Sequence, residues 1–534
     1  MADWDYIIIG GGSAGAVIAN RLSERPASRV LLLEAGGRDN ALSIRVPAGE
    51  IKAIANPRYN WGYVADPDPS LNHRKLIWPA GKVLGGSSSI NGMVYVRGQR
   101  EDFDSWAQLL GNTSEWSYAD VLTYFKKLET NPLGDSEFHG ASGPMKVSNI
   151  ARPHALAQVF IAAAQELGVP FNPDINGAQQ EGVGPNQGTI DFGRRNNSSR
   201  AYLRPVRNRA NLKIVTGALA DSVMFEGTRA KGVRYFVNGS ACEDYAGREV
   251  IVSAGALGSP GILMRSGIGA PEHLKQMGVP VISALNGVGQ NLQDHPQVWI
   301  SGHVNVSTYN VETTPRHLLA HGFNWLVRGV GPAAAPVSHA VAFLRTRPSD
   351  ERRPDVQLHF VPVGYKVTET GVTLLDRPAV TIACCVLRPL SRSQVFLKDK
   401  DPRTPPRILS KLLSNEDDID RLRRGLRLSR QIFESNAFAP YFQGAWRPST
   451  DVHDDEQIME FFRNEAEGSY HPAGTCKMGV GADAVVGKDL RVRGVEGLRV
   501  ADASIMPTIT SGNTNAPTLM IGEKAAALVL AAAA

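Results

Sequence analysis

Three groups of residues in this 534-residue chain have types and spacings that could do chemistry. Gly10, Gly12 and Gly15 form a GxGxxG turn, and Glu34 stands nineteen residues beyond the last of them. In such a turn the first glycine permits the tight bend and the second lets backbone amides approach a pyrophosphate at a helix N-terminus. The third lets helix and sheet pack closely. Ser13 and Ala14 lie in the turn, Ala35 follows the acid, and the Glu34 carboxylate is placed to accept hydrogen bonds from an adenosine ribose. The glycines alone do not decide between NAD and FAD. The second group is the twelve histidines. Their unperturbed pKa near neutrality suits a general base, although a histidine taken singly is more often a core or surface residue. The third is the four cysteines, Cys242, Cys384, Cys385 and Cys476, which contain no CxxC pair and no zinc-like histidine spacing, so no metal site is expected. Cys476 stands five residues after His471, but neither a third orienting residue nor a protease-type signature accompanies the pair.

The elements that must position these residues are legible in outline. Tyr6 to Ile9 and Val30 to Leu33 are continuous apolar runs, which predict strands of a parallel sheet buried on both faces. Ala16 to Leu22, between them, has helical spacing. From Asn40 to Trp106 the chain is rich in glycine and proline and predicts long loops over a cofactor. Leu212 to Ile251 reads as a second βα-like segment with strand character. Between 299 and 464, alternation at Val356 to Val363 and Val380 to Val386, with helical charge patterning at Asp417 to Phe433, predicts a separate sheet-based unit. A short strand at Leu498 to Val500 and a helix from about Thr518, fraying in the alanine-rich tail, complete the chain. The expected class is α/β, α+β overall: a Rossmann-like dinucleotide domain with an interleaved sheet-based substrate domain.

The length exceeds what one core organises, and 43% hydrophobic residues, 20% charged residues and 53 glycines describe an ordinary globular protein. A net charge of +5 is read as solvated surface, with no Lys/Arg run for nucleic acid. The N-terminus lacks signal-peptide features, and no apolar run reaches the ~18 residues of a membrane span. The expected location is cytoplasmic, compatible with peripheral membrane contact.

Four longer motifs carry a resemblance. GKVLGGSSSINGMVYVRG (81–98), GALGSPGILMRSGIG (255–269), GVGQNLQDH (287–295) and the C-terminal pair YHPAGTCKMG (470–479) and LRVADASIMPTITSGNTNAPTLMIGEK (498–524) closely resemble the glucose-methanol-choline family of FAD oxidoreductases, in the family's order. The resemblance is weakest from Trp299 to Arg377. It implies an FAD-binding domain at 1–155, 210–298 and 465–534 and a substrate-binding domain at 156–209 and 299–464, with family-level halves of about 5–298 and 387–527. Ser87 to Val94, including Asn91, Gly92 and Met93, are implied to contact the diphosphate and flavin. Ala220 is implied to meet the adenine, and Asp502 with Ala503 the ribityl and phosphate region. Some relatives bind FAD covalently through a histidine where Ile90 stands here, so non-covalent FAD is expected.

By the same resemblance His471 matches the catalytic histidine, and Asn513 a position that is histidine or asparagine in the family. Asparagine can donate to a developing alkoxide but cannot take a proton. His471 is therefore the general base of the pair. Asn515 competes with Asn513 for that position; Asn513 is favoured for catalysis, and Asn515 with Thr518 for flavin contacts. His295 and His73 are the rival bases. The wording is most similar to bacterial choline-type, L-sorbose-type and polyethylene-glycol-type alcohol dehydrogenases. This implies oxidation of a primary alcohol or polyol by hydride transfer to FAD, with electrons passed to a quinone-like acceptor. An oxygen-using oxidase is the nearer alternative, and a non-redox flavoprotein, a hydroxynitrile lyase or a light-driven decarboxylase, the further one.

Overall fold

The computed structural model describes residues 3–368, 371–449 and 452–533. Its first sheet is built on the two N-terminal apolar runs. Trp4–Ile9 and Val30–Glu34 pair in parallel, with Tyr6 beside Val30 and Ile9 beside Leu33, and the helix Ser13–Leu22 crosses between them. Leu212–Thr216 extends this sheet beyond Val30–Glu34, and the end of Ser240–Val252 followed by Leu498–Val500 extends it the other way, all parallel. Strands of this kind, apolar on both faces, are stable only when covered on both sides.

The 212–251 stretch differs from its βα-like expectation. After Leu212–Thr216 it continues as an antiparallel meander of Ala218–Glu226, Arg229–Val237 and Ser240–Val252, and the helix comes only afterwards, at Gly255–Arg265. Gly227 and Gly239 turn the two hairpins at φ 58° and 83°, the left-handed backbone that tight hairpins require. The 40–106 stretch contains short helices at Leu42–Arg45 and Glu50–Ile54 and ends in a regular one, Arg100–Leu109, whose first turn is closed by the Asp102 carboxylate accepting from the Gln99 amide at 2.9 Å. The C-terminal helix runs from Asn515 to Ala532, three residues earlier than expected. Pro517 falls in its first turn, where the missing N–H costs nothing.

The second sheet is antiparallel, in the order Phe442–Arg447, Pro296–Val304, Ala379–Val386, Val356–Val361, Ala340–Leu344, Gly182–Pro185, with Glu467–Gly468 pairing on Pro296–Val304. Its alternation decides what faces what. Val298, Ile300, Leu358, Phe360, Ile382 and Cys384 enter a hydrophobic core with the helices Ala155–Glu166 and Glu416–Phe433. The intervening Gln297, Trp299, His359, Val361 and Ala383 face a cavity whose opposite wall is the first sheet.

Candidate active site

The cavity is lined by His471, Asn513 and the residues assigned to the cofactor, except Gly15 and, within the loop 87–94, Ser88 and Ser89. Gly15 acts by packing: a Cβ there would lie 1.9 Å from the Gly10 carbonyl oxygen, so it is a contact of helix on strand and not a ligand group. Gly10 is constrained likewise, with φ 101° and a Cβ position 2.3 Å from the Ser253 carbonyl. Gly12 is different. Its φ of −78° suits any residue, and a Cβ would meet only Gly86 Cα, at 3.8 Å. The protein's own packing therefore does not require glycine at 12, whereas a ligand lying against that backbone would. This fits the pyrophosphate of a dinucleotide.

Three helices begin on the cavity without a side-chain cap: Ser13–Leu22, Gly255–Arg265 and Asn515–Ala532. Their first amides have no partner within the helix, and their dipoles favour an anion. Ser13 Oγ donates to Asn515 Oδ1 at 2.8 Å and so ties two of these starts together. Glu34 accepts from the Gly11 and Gly36 amides at 2.8 and 2.7 Å, which fixes its carboxylate; burial pushes its pKa up to about 7. Asp502 is held by the Gly255 and Ser504 amides and the Ser259 hydroxyl, Ala503 follows it on the lining, and Ala220 lies on the wall from the meander.

The loop from Ser87 to Val94 is pinned by Arg195, whose guanidinium donates to the Asn91 carbonyl at 2.6 Å and to Asn91 Oδ1 at 2.7 Å. Ile90 is buried among Ile44, Ala53 and Val83. Met93 and Tyr470, both on the lining, have φ of 60° and 62°. Non-glycine residues in this region are strained by about 1–2 kcal/mol.

His471 and Asn513 meet at the cavity: Asn513 Nδ2 lies 3.1 Å from His471 Nε2, and Gln357 donates to Asn513 Oδ1 at 3.2 Å. On the far side, His471 Nδ1 lies 3.0 Å from His295 Nδ1, and His295 Nε2 lies 3.0 Å from the Thr510 carbonyl. Burial lowers the pKa of His471 well below the ordinary value, with His295 and His359 adding repulsion, and burial brings His295 down to about 4. Both rings are therefore neutral near pH 7. Asn515 and Thr518 line the cavity from the helix start, whereas Asn513 alone of the GNTN segment reaches the histidine. His73 takes no place on the lining.

Several residues of the site carry no local signal in the sequence. Asp294 accepts from the backbone amides of both His295 and His471, at 2.8 and 2.9 Å, and from Trp78 Nε1 at 2.5 Å, so one buried carboxylate joins the two histidine segments; burial pushes it up to about 7. The ligand atoms of Asp294, His295 and His471 lie within 4.8 Å of one another, close enough for a metal. Each of these atoms already faces one of the hydrogen-bond partners just described. Glu467 stands behind the wall and accepts from Trp299 Nε1, from Gln297 Nε2 at 3.4 Å and from the Tyr470 hydroxyl at 3.2 Å. Period-two alternation after His295 was the available signal for Gln297 and Trp299.

Comparison with known proteins agrees across the chain. Models of the family described as GMC oxidoreductase match residues 4–297 and 389–522. Human mitochondrial choline dehydrogenase is 42% identical over 537 residues, covering 99% of this chain and 90% of that protein. The oxygen-dependent choline dehydrogenase of Pseudomonas fluorescens is 42% identical over 98% of this chain and 93% of its own. The crystal structure of pyridoxine 4-oxidase from Mesorbium loti superposes with a TM-score of 0.89 at 30% identity, covering 98% of this chain and 99% of that one.

Proposed function

The chain belongs to the GMC oxidoreductase family and is an FAD-dependent oxidoreductase acting on alcohol CH–OH donors, and from that premise we propose that it oxidises a primary alcohol or polyol with His471 as the base and Asn513 as the alkoxide donor. The flavin, when bound, accepts the hydride. The residues that would hold it are Gly12, Ser13, Ala14, Glu34 and Ala35 at the adenosine and pyrophosphate end, with Ala220, and Ser87, Asn91 to Val94, Asp502, Ala503, Asn515 and Thr518 towards the ring. With no histidine at 90, its attachment is non-covalent.

The observation that carries this reading is the 3.1 Å contact between His471 Nε2 and the Asn513 amide nitrogen, a donor that makes Nε2 the acceptor. An alcohol hydroxyl takes Asn513's place as donor to Nε2, and Asn513 turns its amide to the oxygen, where negative charge grows as the proton leaves. The substrate side of the cavity is the second sheet, with Trp61, Trp299 and Tyr470 as aromatic walls. Such faces also attract cations. Choline, the alcohol in the names of the relatives, is for that reason the first substrate to try.

We assign the electrons to a lipid-soluble, quinone-like acceptor, reached from the cytoplasm by peripheral membrane contact. No helix among the described residues is long and apolar enough to cross a membrane. The test is an alcohol panel including choline and polyols, read by anaerobic bleaching of the flavin, then by quinone or dye reduction beside oxygen consumption. A flavin that stays oxidised with every alcohol while product forms overturns the redox reading; oxygen uptake equal to turnover overturns the acceptor.

A further inference from the structure

The segment TPRHLLAHGFNWLVRG, 314–329, forms the helix Pro315–Phe323 and a further helical turn, Asn324–Arg328, and no residue of either is buried. Leu318, Leu319, Phe323, Leu326 and Val327 recur at helical spacing and are between 55% and 76% exposed. An apolar stripe at this spacing ordinarily faces the core. Here it faces outward and forms a contiguous patch of the kind that marks an interaction surface.

The neighbouring β-hairpin enlarges the patch. Trp325 Nε1 donates to the Gly193 carbonyl at 2.7 Å, and Phe192, beside it, is 66% exposed. The charge around the stripe is mainly positive. Asp191 is paired with Arg200 at 3.2 Å, and Glu312, at the start of the segment, lies 3.0 Å from His321. Among the described residues Arg316, Arg328 and Arg194 have no acidic partner, and the Arg194 guanidinium lies over the Trp325 ring at 5.9 Å. The sequence has no basic run; the fold gathers these arginines around leucine and phenylalanine.

We propose that this segment, with Phe192, is an interfacial helix that docks the protein on an anionic membrane surface. Leu, Phe and Trp on one side with arginines flanking them is the composition that lies in a headgroup boundary, the apolar face among acyl chains and the guanidiniums on anionic lipid. A second copy is the poorer occupant, because a two-fold contact would set the same arginines against each other. The position fits as well. The turn Pro332–Ala334 packs against this segment on one side and against Pro47–Gly49 on the other, and the residues just beyond both, Val337 with Ser338 and Glu50 with Ile54, line the flavin cavity. The docked face therefore borders the cavity rim. This inference rests on the reading of a lipid-soluble acceptor given above.

The test is sedimentation of the FAD-loaded full chain with vesicles of equal parts phosphatidylcholine and phosphatidylglycerol at low ionic strength, beside vesicles of phosphatidylcholine alone. The wild type sediments with the anionic vesicles and is released by salt. Leu319→Glu with Phe323→Glu lowers its partition by at least about 10-fold, as does Arg316→Glu with Arg328→Glu. In both variants flavin content and dye-linked oxidation in solution are unchanged, since none of these side chains lines the cavity. Wild type left in the supernatant, or equal binding by the variants, overturns the proposal. So does a wild-type dimer that the apolar double substitution dissolves, which would assign the face to a second copy. Reduction of a short-chain quinone in vesicle-free buffer separates the two readings: turnover there without vesicle binding removes the docking face and leaves the acceptor, and vesicle binding without quinone turnover does the reverse.

Discussion

The Nδ1 atoms of His295 and His471 lie 3.0 Å apart, and in the neutral pair only one of them carries a proton. Which one follows from the next bond. The Thr510 carbonyl beside His295 Nε2 can only accept, so that nitrogen holds the His295 proton and its Nδ1 is an acceptor. His471 therefore donates from Nδ1 and leaves Nε2 bare, facing Asn513 and the cavity. His295, a rival base by sequence, becomes the residue that sets the tautomer of the base.

Replacing His295 by Ala removes the acceptor that holds this tautomer and the partner that stabilises the imidazolium as it forms. Anaerobic flavin reduction by a good alcohol is expected to slow about 10- to 100-fold, no more than the lower end of the loss expected when the base itself is removed. His295→Asn, whose Oδ1 can stand where Nδ1 stood, recovers much of the rate. Equal loss in both variants would reduce His295 to a packing residue.

His471→Ala is expected to slow reduction about 10²- to 10⁴-fold with FAD retained, and Asn513→Ala on the order of 10²-fold. The pH profiles separate them. A base works when neutral, so rate is lost as pH falls through its pKa; His471 is lowered by burial, and the acid limb of kcat/KM should lie below the ordinary histidine value of about 6.5. In Asn513→Ala the limb persists and moves up, because the amide no longer hydrogen-bonds the neutral Nε2. In His471→Ala it disappears; a limb left unchanged there would place the base elsewhere.

Gly12→Val and Gly15→Val should fail in opposite ways. At 12 the side chain has room within the protein, so the apoprotein should keep its fold and lose FAD. At 15 it drives into the Gly10 carbonyl, so thermal stability should fall by about 1–3 kcal/mol or more, read by circular dichroism without flavin. Normal flavin content in Gly12→Val would misplace the pyrophosphate.

The two glycines also mark what was legible. The GxGxxG turn is a local device, so its residues and their separate duties can be read along the chain. His471 and Asn513, forty-two residues apart, were found through motif resemblance, since spacing alone does not bring them together. Glu467 meets Trp299 across 168 residues through antiparallel pairing. Alternation places Gln297 and Trp299 on one face without saying which face is the cavity. Leu212 to Ile251 reads as βα-like because apolar strand content is the same there as in the meander the chain forms from 218 to 252, and only the hairpin glycines distinguish them.

FAD should be released by acid precipitation, because Ile90 offers no nucleophile to the ring and the lining histidines, His359 and His471, belong to the second sheet's face and the catalytic pair. Flavin fluorescence remaining in the pellet would show a covalent bond.

Glu467 holds three lining side chains at once, and this makes it testable through pH. As a carboxylate it accepts from Trp299, Gln297 and Tyr470 together. Once protonated, one of its oxygens must donate and a neighbour loses its acceptor. Burial raises its pKa, the largest influence on it, so the proton arrives at a pH above the ordinary glutamate value of about 4.3. The KM for the alcohol should therefore rise as pH falls through this range. Glu467→Gln imposes the protonated arrangement at every pH, since its amide nitrogen donates to the Tyr470 oxygen and leaves the Tyr470 O–H without its acceptor. KM is expected to rise about 10-fold, the scale of one buried donor left unpaired, with kcat and flavin content little changed. The KM profile of this variant should be flat across the acid range. A variant with lower thermal stability but a wild-type KM and its pH dependence would limit Glu467 to holding the fold, and the shape of the alcohol pocket would then rest on Trp61, Trp299 and Tyr470 without it.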